Sequence, residues 1–437
     1  MEAVTEHGPR AREADAVRIL HVNKFLYRRG GAEGYMLDVA QLQREQGHEV
    51  AFFGMDHPDN DRPQRFGASF PAHVELEPPP PGVARVRAAG RMVWSTSASR
   101  GMREVVRQFR PDVVHCHNVY HQLSPSVLQP LRAAGVPCVM TLHDYKLACP
   151  SYQLLDHGRL CDACVTGGLW QAARRRCKDD SLGASALLSL ESWVHRATGA
   201  WSAVDLFISP SQFLAGVMAR AGVFPERMRV VNHFVDPAGP GPADQPGRGL
   251  VFAGRLAPEK GVDTLIEAVA RMRLPTTLTV AGDGPVRAAL EEQAARVAPG
   301  RVEFVGRLDK TALQQVVRGA VASVVPSVWH ENQPMTVLEA FALAVPVVCT
   351  DLGGLPELVR DGVDGRVVPA GGAGALAGAL DELVADPAAA HRMGAAARER
   401  MVVEFSPQVH LDRVAGVYEE ARMRVQGRVG TGTGARR

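Results

Sequence analysis

The sequence contains no long apolar run, and no stretch approaches the roughly 18 consecutive residues that a membrane-spanning helix needs. Net charge is also nearly absent, because 49 Lys and Arg residues face 47 Asp and Glu residues, for a formal charge of +2. The polar segment 1–15 has no apolar core of the kind a secretory signal requires. These absences predict a cytoplasmic protein without a membrane span, and they give no reason to expect a nucleic-acid partner.

Cysteine is scarce, with seven residues in a chain of 437. Four of the seven fall within one turn-rich window, at Cys149, Cys161, Cys164 and Cys177. A reducing compartment disfavours disulfides, whereas Cys-x-x-Cys with two flanking cysteines suits tetrahedral zinc. We therefore expect a structural zinc site that takes no part in the chemistry, with free thiols and disulfides as the alternatives.

The order of apolar and turn-forming segments predicts two successive α/β units. A strand, a glycine turn, a helix and a second strand follow one another between Val17 and Phe53, which is a βαβ unit. A Pro- and Gly-rich segment interrupts this pattern before a second series of strands and helices begins at Leu250. The predicted divisions are a disordered N-terminus (1–16), a first Rossmann-like domain (17–235) with a Cys-rich insert (149–177), a linker (236–247), a second Rossmann-like domain (248–405), a C-terminal helix (406–425) and a disordered tail (426–437).

The most informative segment is the run His-Glu-Asn-Gln-Pro-Met-Thr-Val-Leu-Glu-Ala-Phe at 330–341. Pro334 suits the first turn of a helix, so Glu331 precedes that helix and Glu339 lies about one turn inside it. The free N–H groups and the positive dipole end of the helix suit a phosphate, and each carboxylate can accept two hydrogen bonds from a diol. A diol, a pyrophosphate and a second diol are the outline of a nucleotide sugar. The donor-binding residues predicted from this segment are Glu331, Asn332, Met335, Thr336 and Glu339.

Two further loops carry groups that suit a nucleotide sugar. Arg255 and Lys260 follow the first strand of the second unit, where an arginine fork and a lysine charge suit a pyrophosphate. Gly30 and Gly31 precede a predicted helix, where small residues let the backbone approach a ligand closely. A solvated charged loop and an ordinary turn are the respective alternatives.

Histidines follow two of the predicted strands in the first unit. His143 comes directly after the strand 138–142, where it can bond a sugar hydroxyl or steady developing charge; a structural loop cap is the alternative. His115 and His117 have a spacing conceivable for a metal, but we expect the alternation of the strand to place them on opposite faces. We therefore predict no metal site there. The residues predicted to face the acceptor are His117, Asn118 and His121.

The Glu-(seven residues)-Glu segment, the glycines at 353–354 and the Gly-Arg-Leu-(three residues)-Lys-Gly loop closely resemble the family 4 retaining glycosyltransferases, over roughly 17–424. The resemblance implies the GT-B fold, in which two doubly wound domains face each other across a cleft and the last helix returns to the first domain. It also implies that Glu331 contacts the donor sugar, Glu339 the ribose, and Arg255 and Lys260 the leaving diphosphate. His143 corresponds to a histidine near the reacting sugar. No divalent metal or other cofactor is then needed for transfer.

The expected function is therefore transfer of a hexosyl or N-acetylhexosaminyl unit from a UDP- or GDP-sugar to a hydroxyl acceptor of unknown identity. Cell-surface polysaccharide, glycolipid and glycosylated natural-product biosynthesis are the pathways this implies. A GT-B nucleotide-sugar 2-epimerase and a non-catalytic scaffold are the rival hypotheses. A subgroup of the family has a similar Cys-rich insert, although a further cysteine found near Ala172 in related sequences is missing here.

An arginine-rich segment at 85–110 surrounds Met92, Val93 and Trp94. A helix of this composition could rest on an anionic membrane surface, and a solvated helix is the alternative. The sequence thus leaves open a peripheral contact with the inner face of the membrane.

Overall fold

The computed structural model describes residues 16–76 and 81–433, with side chains described as far as residue 428. The N-terminal segment predicted to be disordered therefore lies outside the described residues, apart from residue 16. Within the described residues, no helix combines the length and the apolar character required to cross a membrane.

The first domain contains a parallel six-stranded sheet covered by helices. The strands of this sheet are β1 (Arg18–Val22), β2 (Glu49–Phe53), β3 (Val113–Cys116), β4 (Cys138–Thr141), β7 (Leu206–Ser209) and β8 (Met228–Val230). A separate antiparallel pair is formed by β5 (Leu155–Asp156) and β6 (Arg159–Leu160). The helices of the domain are α1 (Gly31–Glu45), α2 (Gly82–Val93), α3 (Thr96–Phe109), α4 (Leu128–Ala133), α5 (Ala163–Gly167), α6 (Gln171–Arg174), α7 (Leu182–Ala197) and α8 (Gln212–Arg220). The strand order is β2-β1-β3-β4-β7-β8, so the chain adds strands to one side of β1 first and then to the other. The switch point of this order lies between β1 and β3, and ligands of such sheets bind beyond the carboxyl ends of the strands at the switch point.

The second domain repeats this architecture. Its strands are β9 (Leu250–Ala253), β10 (Leu278–Ala281), β11 (Val302–Gly306), β12 (Ala322–Val325), β13 (Val347–Thr350) and β14 (Gly365–Val368). Its helices are α9 (Val262–Arg271), α10 (Arg287–Val297), α11 (Lys310–Arg318), α12 (Met335–Ala342), α13 (Leu355–Leu358), α14 (Ala373–Ala385) and α15 (Pro387–Glu404). The strands are parallel in the order β11-β10-β9-β12-β13-β14, so the switch point of this strand order lies between β9 and β12. The prediction of two doubly wound α/β units is confirmed.

The central strands are short apolar runs because helices cover both faces of each sheet. β3 and β4 are buried at every position, yet each contains a polar residue, His115 and Thr141 respectively. A buried polar group needs a hydrogen-bond partner, and these two bond each other, with His115 Nε2 2.7 Å from Thr141 Oγ1. The polar exceptions inside the core are thus paired across neighbouring strands.

The last helix, α16 (Pro407–Thr433), returns to the first domain. It packs Val414, Val417 and Ala421 against Ile19 and Val139 of the first sheet. Burial of this apolar face ties the C-terminus to the domain with which the chain begins.

The tail predicted to be disordered from residue 426 requires a correction, because α16 continues to Thr433. Arg428 in this extension forms an ion pair with Asp205, whose side chain is 2% exposed. A buried carboxylate needs a cation, and this partner lies too far away in the sequence to be anticipated. Residues 434–437 lie outside the described part of the chain. The described segment 236–247, predicted as the linker, joins β8 to β9 and contains neither helix nor strand.

Segments that follow the carboxyl ends of the strands in both sheets hold the domains together. The Glu357 carboxylate accepts hydrogen bonds from the backbone N–H groups of Gln212 at 2.7 Å and Phe213 at 2.6 Å. Ser211 Oγ donates to Asn332 Oδ1 at 2.9 Å. Both carboxyl edges therefore border one interdomain cleft.

Candidate functional site

The loop before α12 carries a buried ion pair. Lys260 Nζ lies 2.7 Å from Oε1 of Glu331, and Ser327 Oγ donates to the same oxygen at 2.6 Å. The Glu331 side chain is 7% exposed and that of Lys260 is 22% exposed. The Lys260 ammonium also lies 5.2 Å from the ring centre of Trp329. The residues predicted to bind the donor sugar and the adjoining diphosphate are thus joined in one fixed arrangement.

The glycines after β13 are required by the close packing of this loop. Gly353 has a φ of +65°, and a Cβ there would lie 2.2 Å from the carbonyl oxygen of Glu331. The Gly354 N–H donates to that oxygen at 2.7 Å, and a Cβ on Gly354 would lie 2.0 Å from the carbonyl oxygen of Asn332. Any side chain here would displace Glu331 from Lys260.

Helix α12 begins without a side-chain cap, because its N-cap residue is Pro334. The first N–H groups of the helix belong to Met335 and Thr336, next to the ion pair. Unpaired N–H groups at a helix start, together with the helix dipole, form a site for an anion such as a phosphate. Glu339 lies one helical turn further on, and its side chain is exposed to solvent. Surrounding protein atoms nevertheless desolvate its carboxylate and raise its pKa, while the charge of Lys310 acts to lower the pKa. An exposed but partly desolvated carboxylate is typical of a group in a recess of the surface.

The structure separates the two cations predicted to bind a diphosphate. Lys260 contacts Glu331, whereas the guanidinium of Arg255 pairs with Glu259 and its side chain is 61% exposed. Arg255 lies on the loop after β9, at the carboxyl edge of the second sheet, as the sequence predicts. It would have to leave Glu259 to reach an anion at α12.

His143 stands on the first-domain side of the cleft, just beyond β4. Its Nε2 lies 3.2 Å from Nδ1 of His117. Burial lowers the pKa of His143 to about 3, so the ring is neutral at physiological pH. The neighbouring Leu142 carbonyl accepts from Asn332 Nδ2 at 3.5 Å, and Tyr145 Oη donates to the His330 carbonyl at 3.1 Å. The His143 loop therefore meets the Glu331 loop directly.

Two sequence-based interpretations of the neighbouring histidines were wrong. His115 and His117 lie on the same side of the sheet, with ring centres 4.3 Å apart, because residues two positions apart in a strand share a face. His117 is 0% exposed and faces this stack, so it does not face an acceptor. His21 of β1 completes the group, and among the described residues the ligand atoms of these three histidines lie within 4.8 Å of one another. Sequence reasoning missed His21 because its strand is separate in the chain.

A cavity of about 1030 Å³ opens in the first domain beside the His143 loop. Asn118 and His121 line it, and so does Gly30 at the start of α1. His121 is held by Glu191, with Nδ1 3.2 Å from Oε1, and Lys146 donates to the other carboxylate oxygen at 2.9 Å. Despite desolvation, Lys146 and His121 hold the pKa of Glu191 well below its ordinary value. Glu191 thus fixes two residues of the cavity wall, His121 and Lys146.

Three residues of the cavity wall also have a buried polar atom that lacks a partner within the described part of the chain. These atoms are Asn118 Oδ1, the Tyr120 hydroxyl and Gln122 Oε1. A buried polar atom without a hydrogen bond is costly, so such atoms mark a place where a ligand can bond. Tyr120 and Gln122 are functional candidates that sequence reasoning missed, although they adjoin the predicted residues Asn118 and His121.

Gly31, at the start of α1, leaves room for a ligand. Gly30 is the N-cap of α1 and offers no side-chain cap, and a Cβ added to Gly31 would have no heavy atom within 4 Å. Gly30 has an extended backbone that any residue can adopt. Open space, and not backbone conformation, is therefore the feature that a glycine provides here.

The Cys-rich insert places two of its four cysteines in contact. A hydrogen bond from the Cys164 thiol lowers the pKa of Cys149 to about 6. Cys177 lies near enough to Cys149 and Cys161 for their charges to act on its pKa, which desolvation raises. All four are free thiols, and they are not drawn together as tightly as the three histidines. The zinc site stays a prediction.

Comparisons with known proteins agree over most of the chain. The family model described as Glycosyltransferase Family 4 matches residues 29–238, and the model described as Glycosyl transferases group 1 matches residues 241–400. A glycogen synthase of Mycobacterium tuberculosis is 32% identical over 327 residues, which are 72% of this chain and 70% of that protein. A phosphatidyl-myo-inositol mannosyltransferase of Mycobacterium leprae is 25% identical over 399 residues, or 89% of this chain and 93% of that protein.

Solved structures show the same architecture. The sucrose-phosphate synthase of Thermosynechococcus elongatus has a TM-score of 0.68 at 20% identity, covering 92% of this chain and 98% of that one. The Anabaena protein HepE, solved in complex with UDP and glucose, has a TM-score of 0.64 at 18% identity, covering 92% and 100%. At these identities the likeness shows that the fold is shared.

Proposed function

This chain belongs to the family 4 glycosyltransferases and has their GT-B fold, and from that premise we propose that it is a retaining glycosyltransferase. It transfers a hexosyl or N-acetylhexosaminyl unit from a UDP- or GDP-sugar to a hydroxyl acceptor. The observation that carries the proposal is the buried Glu331–Lys260 pair beside the uncapped start of α12. Lys260 and the helix dipole supply positive charge for a diphosphate, so the proposal includes no divalent metal or other cofactor.

Each part of the donor has a matching group. The diphosphate binds the N–H groups of Met335 and Thr336 and the Lys260 ammonium, and Arg255 joins them by leaving Glu259. Negative charge grows on the leaving phosphate in the transition state, and fixed donors of this kind stabilise it without reorganising. Glu331 accepts hydrogen bonds from hydroxyls of the donor sugar, and Glu339 accepts from the ribose diol.

Retention follows if the acceptor attacks from the side of the departing diphosphate. The bond between sugar C1 and the phosphate oxygen breaks while the bond between C1 and the acceptor oxygen forms on the same face. The acceptor proton passes to the leaving phosphate oxygen, so no protein base is required. His143, neutral and at the edge of the cleft, contacts the reacting sugar.

We infer that UDP-sugars are the first donors to test. HepE was solved with UDP and with UDP-glucose, and it shares only the fold with this chain. That likeness supports a nucleoside diphosphate in the same cleft but does not choose the sugar.

The large cavity of the first domain suits the acceptor, and its lining indicates the acceptor's chemistry. Its lining includes apolar side chains, such as Met92 of α2 and Leu187 and Leu188 of α7. It also includes polar and charged residues, such as Asn118 and Lys146. An acceptor with an apolar body and a polar, hydroxyl-bearing end fits this mixed lining, which favours a glycolipid or a natural-product aglycone over a purely polar polysaccharide chain.

Transfer is also favoured over the rival functions. A nucleotide-sugar 2-epimerase needs no acceptor and therefore no second cavity beside the donor site. A non-catalytic scaffold needs neither the buried Glu331–Lys260 pair nor the glycines that hold it.

The proposal is tested with a panel of UDP- and GDP-sugars in a thermal-shift assay, followed by incubation of the best donor with and without amphipathic acceptors. We expect one donor to raise the melting temperature and product with an α-linkage from an α-donor to form only with acceptor. Donor isomerisation without acceptor would identify an epimerase, and no stabilisation by any nucleotide or nucleotide sugar would contradict the donor site.

A further inference from the structure

Three histidine rings, two of them fully buried, form one hydrogen-bonded chain that ends at the cleft. Gln43 Oε1 lies 2.8 Å from His21 Nε2, and His21 Nδ1 lies 3.1 Å from His117 Nε2. His117 Nδ1 in turn lies 3.2 Å from His143 Nε2. His21 and His117 are 0% exposed. The chain therefore runs from α1 through the core of the sheet to the candidate catalytic histidine.

The neutral state of the rings gives this chain a direction. Burial lowers the pKa of His21 to about 4, that of His143 to about 3 and that of His117 well below its ordinary value. A neutral imidazole has one N–H and one bare nitrogen, so each ring that donates at one nitrogen must accept at the other. The oxygen of Gln43 accepts, so His21 donates from Nε2, His117 donates to His21, and His143 donates to His117. His143 is then left with a bare Nδ1.

That last atom is available to a substrate. Within the described part of the chain, Nδ1 of His143 has no hydrogen-bond partner, and it is not among the buried unpartnered atoms, in contrast to Nδ1 of His233. His143 lies on the loop that meets Glu331. A bare nitrogen here accepts a hydrogen bond, whereas the other tautomer would donate one.

A second set of bonds holds the amide of Gln43 in the required orientation. Gln43 Nε2 donates to the Tyr418 hydroxyl at 3.1 Å, and that hydroxyl lies 2.7 Å from His115 Nδ1. His115 Nε2 completes the set by donating to Thr141 at 2.7 Å. Turning the amide over would reverse every donor in both sets, so the direction has to be set beyond Thr141. The Asn232 carbonyl can only accept, so His410 Nδ1 donates to it at 2.7 Å and His410 Nε2 accepts from the Tyr35 hydroxyl at 3.0 Å. Tyr35 in turn accepts from Thr141, which leaves the Thr141 oxygen to accept from His115. His410 and Tyr418 both belong to α16, so the returning helix fixes the orientation.

A metal ion bound by His21, His115 and His117 is the competing interpretation, since their ligand atoms lie within 4.8 Å. All six ring nitrogens, however, already have hydrogen-bond partners. A metal would have to break at least two of these bonds. The hydrogen-bond chain accounts for every ring nitrogen, so we prefer it.

We propose that Gln43, His21 and His117 are positioning residues that set the tautomer of His143, with Tyr418 as their anchor, so that Nδ1 of His143 accepts a hydrogen bond from a hydroxyl of the reacting sugar. This inference rests on the proposed function only in its last step. A hydroxyl that donates to a bare nitrogen becomes more electron-rich and stabilises the positive charge that develops on a sugar ring. The reverse tautomer would withdraw electron density. The tautomer should therefore affect kcat more than KM.

The test is nitrogen-15 NMR of histidine-labelled full-length protein, in which each ring nitrogen reports whether it carries a proton. The His143 signals are assigned with His143→Gln. We expect wild type to show His143 with a bare Nδ1 and a protonated Nε2 without any ligand. Gln43→Leu and Tyr418→Phe should each give a mixture of the two tautomers, and Gln43→Glu, which keeps the acceptor, should restore the wild-type signals. His143 with a proton on Nδ1 in the wild type would overturn the proposal, even if every variant failed to fold.

Kinetics provide the second readout. With the donor found by thermal shift, Gln43→Leu should lower kcat by about tenfold with little change in donor KM, and Gln43→Glu should recover most of the loss. Val417→Ala, which removes apolar contact from the same turn of α16, is the matched control for stability and should leave the tautomer unchanged. If no donor binds at all, the proposed function fails while the NMR result still decides the tautomer. Zinc binding to apo protein with loss of the His21 and His117 signals would support the metal site instead and would also overturn the proposal.

Discussion

At the scale of single residues, Lys260 and Glu331 depend on each other. Glu331 is buried against Ser327 and Lys260, on the loop that leads into α12. Removing one partner of a buried pair leaves the other charge uncompensated, which costs more than the pair contributes. The pair therefore supports both the shape of the loop and the charge of the site.

We expect Glu331→Ala and Lys260→Ala each to lower transfer by about a hundredfold or more, the scale of losing one strong transition-state contact. The measurement is kcat/KM with the donor and acceptor found by screening. Arg366→Ala is the matched control, because it removes ion pairs with Asp361 and Glu382 from the same domain outside the cleft. Near-native turnover of both site variants would show that the donor-site assignment is wrong.

The buried histidines predict how stability responds to acid. Burial lowers the pKa of His21 and of His410 from 6.5 to about 4. Between about pH 6.5 and pH 4 the unfolded chain binds protons at these rings and the native chain does not. The free energy of unfolding therefore falls as the pH falls through this window. Urea unfolding at several pH values measures the slope.

The slope is proportional to the number of protons that the unfolded chain binds in excess of the native chain. We expect His410→Gln to reduce that number by about one near pH 5. His157→Gln is the control, because a hydrogen bond to Asp156 raises the pKa of that exposed ring and its removal cannot lower the slope. A stability that stays flat from pH 7 to pH 5 would contradict the neutral, buried state of the rings.

At the scale of elements, the insert 149–177 adds short pieces to the first domain that pack beside α7. Its strands and helices contain at most five residues each. Elements this short bury little apolar surface, so a cross-link or a metal has the most to contribute here.

We propose one zinc ion in this insert, bound by Cys149, Cys161, Cys164 and Cys177. Elemental analysis of protein purified without added metal should then find about one equivalent. A chelator should lower the melting temperature, because metal-binding energy becomes folding energy, and should affect transfer only indirectly. Cys161→Ser should lose the metal and Cys349→Ser should keep it. Zinc well below one equivalent, with all four thiols titratable in the native state, would contradict the site.

Helix α2 combines basic and apolar side chains on its exposed surface. Val83 is 70% exposed and Val86 is 73% exposed, with Arg85 and Arg87 beside them. Helix α7, which α2 contacts, adds the exposed Trp193. We propose that this surface touches an anionic membrane, next to the opening of the cavity suited to an amphipathic acceptor.

We expect the protein to sediment with vesicles that contain anionic lipid and not with neutral vesicles. The double variant of Val83→Ser and Val86→Ser should weaken this binding severalfold. Val403→Ser is the control, since Val403 is 66% exposed on α15 of the other domain. Equal sedimentation of all variants, or none by wild type, would identify α2 as an ordinary solvated helix.

At the scale of the whole molecule, the site exists only where the two domains meet. His143 belongs to the first domain and Glu331 to the second, so the site depends on the hydrogen bonds between the two domains. In one of these contacts, the carboxylate of Glu357 in α13 accepts hydrogen bonds from two backbone N–H groups at the start of α8. Glu357 therefore caps α8 and also joins the two domains.

We expect Glu357→Ala to let the domains separate, because both charge-assisted hydrogen bonds are lost. Small-angle scattering should show a larger radius of gyration without ligand, and donor should restore the compact form in part. The melting temperature of the variant should change little, because the hydrophobic core of each domain is left intact. A variant with unchanged scattering would show that the remaining contacts, such as Ser211 to Asn332, suffice to hold the cleft.

Local sequence determined the parts of this protein that depend on neighbours in the chain. Alternating apolar runs and glycine turns predict both doubly wound domains, because strands buried on two faces and helices with one apolar stripe have distinct periods. The position of Glu331 before α12 and of Lys260 after β9 also followed from the sequence. Both lie where a strand or a loop passes into a helix, which is a local property.

Tertiary structure decided everything that depends on distant segments. Gln43 and Tyr418 are 375 positions apart, yet a hydrogen bond between them joins the chain of buried histidines to α16. His117 was expected to face an acceptor and instead lies within that chain, because burial and partner geometry, unlike strand period, are set by packing. The continuation of α16 to Thr433 has the same cause, since Arg428 pairs with Asp205 of the first domain. Residue patterns specify elements, whereas the pairing of buried polar groups is specified only when those elements pack.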